Sequence, residues 1–150
     1  ETSVISYLAS RPSRDLIVAA NQRITQDWWQ IRRMEFDLFI SQLVVQEVGA
    51  GDQEAARHRL RLIESVPLLM LNKEALELGQ ALVEDGPIPQ VAVEDSLHIA
   101  VATVHGMDYL LTWNFRHIAN AAMRYGIERV CRIQGYEPPT ICTPQGLLEG

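Results

Sequence analysis

The stretch VAVEDSLHIAVATVHGMDYLLTWN, residues 91–114, decides the reading of the fold. Val91 to Val104 has the spacing of a long apolar helix that ends near Gly106, and Asp108 to Trp113 reads as a strand rich in Tyr, Leu, Thr and Trp. The same strand–helix alternation extends to both sides. On the amino side, Phe36 to Ile40 reads as a strand, and Ser41 caps a helix over Gln42 to Val48 that Gly49 and Gly51 stop. Asp52 caps a helix to about Ser65, Leu68 to Leu71 is a strand, and Asn72 caps a helix through Val83. Arg14 to Arg32 reads as one long helix with Leu16, Ile17, Ala20, Ile24, Trp28 and Ile31 at helical spacing. On the carboxyl side, helical sequence runs through Arg124 and again from Ile127 to Gln134. Thr140 to Cys142 is a further strand, and Thr143-Pro144 opens a last short helix. This order predicts an α/β fold, a small parallel sheet flanked by helices in three layers, α/β/α. Glu1 to Tyr7 reads as the segment that comes after a strand, so a first strand is expected to be largely missing ahead of it.

A chain of 150 residues is the length of one domain, 1–150, and buries a sizeable core without staples. With 47% hydrophobic and 21% charged residues it is neither a disordered chain nor a disulfide framework. No apolar run is long enough to span a membrane and no secretory leader is visible, so a cytoplasmic protein that does not engage membranes is expected. Cys131 and Cys142 read as reduced thiols. The net charge of −6 excludes a broadly basic nucleic-acid footprint. Yet every basic residue except Lys73 is an Arg, whose fork suits phosphate, so local RNA contacts stay open.

Three acids do not sit on polar helix faces. Glu47 shares an apolar stripe with Leu43, Val44 and Val48; Asp95 shares one with Val91, Ala92 and Ile99; Asp108 opens an apolar strand. A buried carboxylate is costly unless it is paired or coordinated. In an open parallel sheet, ligands bind beyond the carboxyl ends of the strands. Glu1, Glu47 and Asp95 all fall at such ends, with Asn114 after the strand that closes at Trp113. Converging oxygen ligands suit Mg²⁺ or Mn²⁺ rather than Zn²⁺, and such ions commonly serve phosphoryl chemistry.

The segments ETSVISYL (1–8), ISQLVVQEV (40–48), VEDSLHIAVA (93–102), DYLLTWNFRHIAN (108–120) and GYEPPTICTP (135–144) together resemble the PIN domain, most closely the VapC-like toxins of type II toxin–antitoxin systems. DSLHIAVA and LLTWNFRHIAN at this separation form the specific pair. The resemblance implies a metal-dependent endoribonuclease, a hydrolase acting on single-stranded or structured RNA, with Mg²⁺ or Mn²⁺ as cofactor. It places Glu1, Glu47, Asp95 and Asn114 as catalytic residues, the first three as metal ligands, and implies an antitoxin partner and a homodimer. The alternative is a catalytically impaired PIN-like binding module, for which Asn114 in place of an acid is the motive. Glu1 in place of the usual Asp lengthens the reach of the first ligand. Asp108 is a weak substitute for the fourth acid, because a strand's start lies about 17–20 Å from its end.

Arg11, Arg14, Thr112 and Arg116 are the candidate RNA contacts, with core or turn bonding an equal reading for Thr112. His98 follows Asp95 by three residues and could ligate a metal, although a buried His bonded to a neighbouring helix is the simpler reading. His58, His105 and His117 form no spaced set with a Cys, so a zinc site is not expected. Ser3 and Ser6 lack a base at recognisable spacing, and no nucleotide-binding glycine motif occurs. Adjacent Trp28 and Trp29 must face different ways, one toward the core and the other toward a loop or a subunit interface.

Overall fold

The computed structural model describes residues 1–149. Helix α1 covers Thr2–Ala9 and α2 covers Leu16–Asp27, continued by a wide turn at Trp28–Arg32 and a tight one at Arg33–Glu35. Strand β1 (Ile40–Ser41) feeds α3 (Gln42–Val48), followed by α4 (Gln53–Ile63), β2 (Leu68–Leu69) and α5 (Lys73–Glu84). Helix α6 (Val93–Val104), strand β3 (Tyr109–Leu111), helix α7 (Ala121–Ile133) and strand β4 (Thr140–Cys142) complete the chain, with a helical turn at Pro144–Leu147. The protein is mixed α/β, as the alternation implies, and no described helix is long and apolar enough to cross a membrane.

The helix starts follow from side chains that satisfy the free amides of a first turn. Ser41 accepts from Val44 N at 3.2 Å, Asp52 from Ala55 N at 3.0 Å and Asn72 from Ala75 N at 2.9 Å. Helices α5 and α6 pack closely because position 79 is glycine: a Cβ there would lie 2.7 Å from Leu97 Cδ2. Helix α7 runs unbroken through Gly126, where two pieces were expected. The missing side chain leaves room for Pro87, which a Cβ would meet at 3.0 Å. The main core gathers Leu78, Leu82, Ile88, Ile99, Val101 and Ile127.

Two expectations are corrected. First, the described strands form two separate parallel pairs, β1 with β2 and β3 with β4, instead of one sheet. The facing edges of the pairs line a cavity of about 460 Å³ and share no strand, so the ladder is interrupted. The strands are correspondingly shorter than the apolar runs that encode them. Second, α2 and the wide turn after it do not bury most of the apolar positions at helical spacing, Trp28 excepted. Leu16, Ile17 and Ile31 are 86%, 75% and 69% exposed, whereas Gln22 and Thr25 are buried. Hydrogen bonds set that orientation. Gln22 accepts from Ser13 N and donates to the Arg11 carbonyl, and Thr25 Oγ1 accepts from the Trp113 indole at 2.8 Å. Trp28 is in the core, while Trp29 is half-buried under the Arg33 guanidinium.

Candidate metal centre

Glu1 caps α1, and its Oε2 accepts from Ser3 N and from the Ser3 hydroxyl at 2.7 Å. The buried Thr112 hydroxyl, at the end of β3, donates to the same oxygen at 2.7 Å. Thr112 Oγ1 also accepts the Asn114 amide, and Ser3 Oγ accepts the Trp113 amide, so the turn after β3 is laced to the start of α1. A strand end and a helix start thereby fix one carboxylate.

Glu47 sits on α3 two turns after the Ser41 cap and is held on both oxygens. Thr2 Oγ1 donates to Oε2, and His98 Nε2 lies 2.8 Å from Oε1, within hydrogen-bond distance. His98 comes from α6 and its side chain is 3% exposed. Glu1, Glu47 and His98 each present one donor atom within 4.8 Å of the other two. Three elements distant in sequence thus converge, and only the fold brings them together.

Asp95 belongs to a different pair. Its Oδ2 lies 2.9 Å from His117 Nδ1, and it does not join the three-residue group. Asn114 Oδ1 accepts the Arg116 and His117 amides at 3.1 and 3.0 Å, which uses its carbonyl to build the turn that carries His117. Of the four acidic-position residues expected together, the structure gathers Glu1 and Glu47, sets Asp95 in a neighbouring pair and commits the Asn114 oxygen to the backbone. His98 joins the two glutamates instead. The clue to it was that His98 and Glu47 are both polar groups on apolar helix faces, and each therefore needed a partner.

Of the expected RNA contacts, Arg11, Arg14 and Arg116 are exposed. Thr112 is 0% exposed and bonded to Glu1, so it orients the first carboxylate and does not present its hydroxyl to a strand of RNA. Asp108 is exposed at the start of β3. His105 bonds the Met70 carbonyl, and both cysteines are free thiols.

Mutual repulsion among the acids predicts that at least one pKa rises. For both glutamates the direction is the opposite. Burial pushes Glu1 up, but the adjacent amino group and the Ser3 and Thr112 hydroxyls outweigh it and hold the carboxyl below the ordinary range. Burial pushes Glu47 up as well, and the His98 and Thr2 hydrogen bonds reverse it. The pocket stabilises carboxylate ions, the form a cation requires.

Two carboxylates and one imidazole at this spacing are a donor set that could hold a metal ion. The class defined by fold and site is an α/β protein with a mixed carboxylate–imidazole cluster beyond its strand ends. Compared with protein-family models, curated proteins and solved structures, the chain matches none.

Proposed function

We propose that this protein is a PIN-like, VapC-type endoribonuclease, with Glu1, Glu47 and His98 holding a Mn²⁺ or Mg²⁺ ion. One observation carries the reading: the three donor atoms, from the start of α1, the last turn of α3 and the middle of α6, lie within 4.8 Å of one another. A divalent ion there supplies positive charge for a phosphodiester's non-bridging oxygens and acidifies water near neutral pH. The chain's own part is positioning. Thr112 and Ser3 aim Glu1, and Thr2 aims Glu47. His117 holds Asp95, whose carboxylate stands on the same face of α6 as His98, one turn earlier. Arg11, Arg14 and Arg116 are free to meet the phosphates of single-stranded or structured RNA.

The toxin role, with an antitoxin partner and a homodimer in the cytoplasm, belongs to the same proposal. Leu16, Ile17, Ile31 and Met34, each at least 69% exposed, form apolar surface along α2 and the turns after it, and a second copy would cover it. Sedimentation at micromolar concentration should then show a dimer, and a monomer alone would count against it. Incubating the protein with a mixed RNA pool, with Mn²⁺, with Mg²⁺ and with chelator, tests the enzyme. Cleavage that requires the metal and is lost in Glu47→Gln supports it.

A second reading has its own observation: Glu1, Glu47 and Asp95 each already have an internal hydrogen-bond partner. A cluster so satisfied can serve a catalytically impaired binding module. Metal binding or RNA binding without cleavage would decide for it.

A further inference from the structure

We infer that Phe115 is a stacking platform for a nucleobase of single-stranded RNA, one step along the strand from a phosphate at the Glu1–Glu47–His98 cluster. The inference rests on the proposed ribonuclease reading for the nature of its ligand, and on the turn after β3 for its geometry.

The turn that carries Phe115 is fixed at both ends. The Asn114 side-chain oxygen accepts the Arg116 and His117 amides, the Asn114 carbonyl accepts the Ala119 amide at 2.8 Å, and Asn120 Nδ2 donates to the Arg116 carbonyl at 2.8 Å. At the entrance, the Trp113 amide donates to Ser3 Oγ and the Asn114 amide to Thr112 Oγ1. The same two hydroxyls hold the Glu1 carboxylate. The segment under Phe115 and the first carboxylate of the cluster are therefore one hydrogen-bonded unit. Three residues separate Phe115 from Thr112, so their Cα atoms lie within about 11 Å of each other. A phosphate at the cluster and a base on Phe115 can belong to adjoining nucleotides of one strand.

The ring is braced from below. Trp113 is buried, its indole N–H donates to Thr25 at 2.8 Å, and Tyr7 stacks on it at 6.0 Å and 27°. Phe115 meets Trp113 edge to face, at 6.1 Å and 72°. Whichever ring supplies the edge, this geometry leaves at least one face of Phe115 uncovered by Trp113. The residue is 55% exposed. Single exposed apolar side chains are ordinary. Phe115 differs because its backbone is locked and its ring rests on a buried indole, so little freedom is lost when a flat base is laid on it.

Stacking also suits the charge of the protein. A net charge of −6 gives a polyanion no long-range attraction. A base on an aromatic face is held without charge, and every base has a π-face to offer. Arg116, the next residue, is exposed and supplies a guanidinium for the neighbouring phosphate. A duplex keeps its bases stacked on one another, so the platform selects single strands.

The test compares the parent with Phe115→Leu, Phe115→Tyr and Arg116→Ala. The probe is a fluorescently labelled single-stranded RNA of mixed sequence, alone or annealed to its complement. Binding is read by anisotropy in chelator, where the strand stays whole. Phe115→Leu keeps an apolar side chain and removes the π-face. It should weaken single-strand binding at least about fivefold, the low end of what one stacked base contributes, and leave duplex binding unchanged. Phe115→Tyr should stay within about twofold of the parent. Both variants should keep the parent's salt dependence, whereas Arg116→Ala should reduce the slope of log K against log salt by about 0.7, the value of one phosphate contact on a single strand. Equal binding by the parent and Phe115→Leu would overturn the inference. So would a loss shared by single strand and duplex, a Phe115→Tyr protein as weak as Phe115→Leu, or a parent that does not bind the single strand. Cleavage in Mn²⁺ is scored separately. A parent that binds through Phe115 without cutting refutes the ribonuclease reading and leaves the platform standing; one that cuts and is indifferent to Phe115→Leu does the reverse.

Discussion

Two carboxylate–histidine pairs lie along α6 and differ in what surrounds them. Glu47 and His98 join α3 to α6, and the His98 side chain is 3% exposed. Asp95 and His117 join the start of α6 to the turn after β3, and the His117 side chain is 16% exposed. The first pair lies within 4.8 Å of a third donor, Glu1, whereas the second stands alone. The chemistry of the pairs is nearly the same, so the difference between a candidate site and an isolated hydrogen-bonded pair is made by a third element arriving. Here that element is the start of α1, brought in by the Thr112 and Ser3 hydrogen bonds.

The largest effect that would sharpen this contrast is expected from Glu47→Gln. On the proposed reading the substitution removes a charged ligand and should lower the proposed metal-dependent cleavage more than about a hundredfold, beyond the usual cost of disturbing a ligand's supporting groups. It should also abolish metal-induced stabilisation. On the same reading, stabilisation of the parent should be about 2.7 kcal/mol at a hundredfold excess over Kd, or roughly 5–10 °C in melting temperature. Cleavage assays and melting curves with and without Mn²⁺ read both quantities.

Next comes His98→Asn. It leaves Glu47, whose side chain is 33% exposed, with one partner fewer and should destabilise the metal-free protein by about 1 kcal/mol. If His98 is a ligand, a Mn²⁺ sample should lose its nitrogen hyperfine coupling in pulsed EPR. A parent spectrum with no such coupling would show that His98 only positions Glu47.

Asp95→Asn is expected to be milder toward the metal, since the Asn carbonyl can still accept from His117. Apo stability should change by no more than about 1 kcal/mol and most of the metal-induced melting shift should remain. A loss as complete as in Glu47→Gln would break the contrast and place Asp95 among the ligands. A smaller effect again is expected from Thr112→Val, which keeps the volume and deletes a buried hydroxyl. Metal affinity measured by calorimetry should weaken by up to about tenfold, because Glu1 loses an orienting bond.

The pH dependence has a definite sign. Glu1 and Glu47 are held below their ordinary values, so their stabilising contribution is fully present above the unfolded carboxylate range, about pH 4.3. It is lost as pH falls through the folded values. Chemical denaturation between pH 6 and pH 3 should show the decline, and Glu47→Gln should flatten part of it.

The degree to which the sequence foretells the structure varies by element. The caps at Ser41, Asp52 and Asn72 could be read directly, because a short polar side chain before an apolar period is a local signal. The boundaries of α3 were equally local, closed by Ser41 and Gly49. The orientation of α2 was not. Its apolar spacing pointed one way, and bonds from Gln22 to the Arg11 loop and from Trp113 to Thr25 turned it another. Periodicity reports which residues share a face, not which face the rest of the molecule covers.

The sequence by itself determined the α/β alternation, the helix caps and the acids at the strand ends, Glu1, Glu47 and Asp95. These depend on neighbours within a few residues, where propensity and spacing act. Only the tertiary structure decided which of those acids meet. Glu47 is 51 residues from His98, and Glu1 is 111 residues from Thr112. Contacts at such separations follow from how helices and strands pack, and one turn of rotation about α6 separates the histidine that joins Glu1 and Glu47 from the aspartate that pairs with His117.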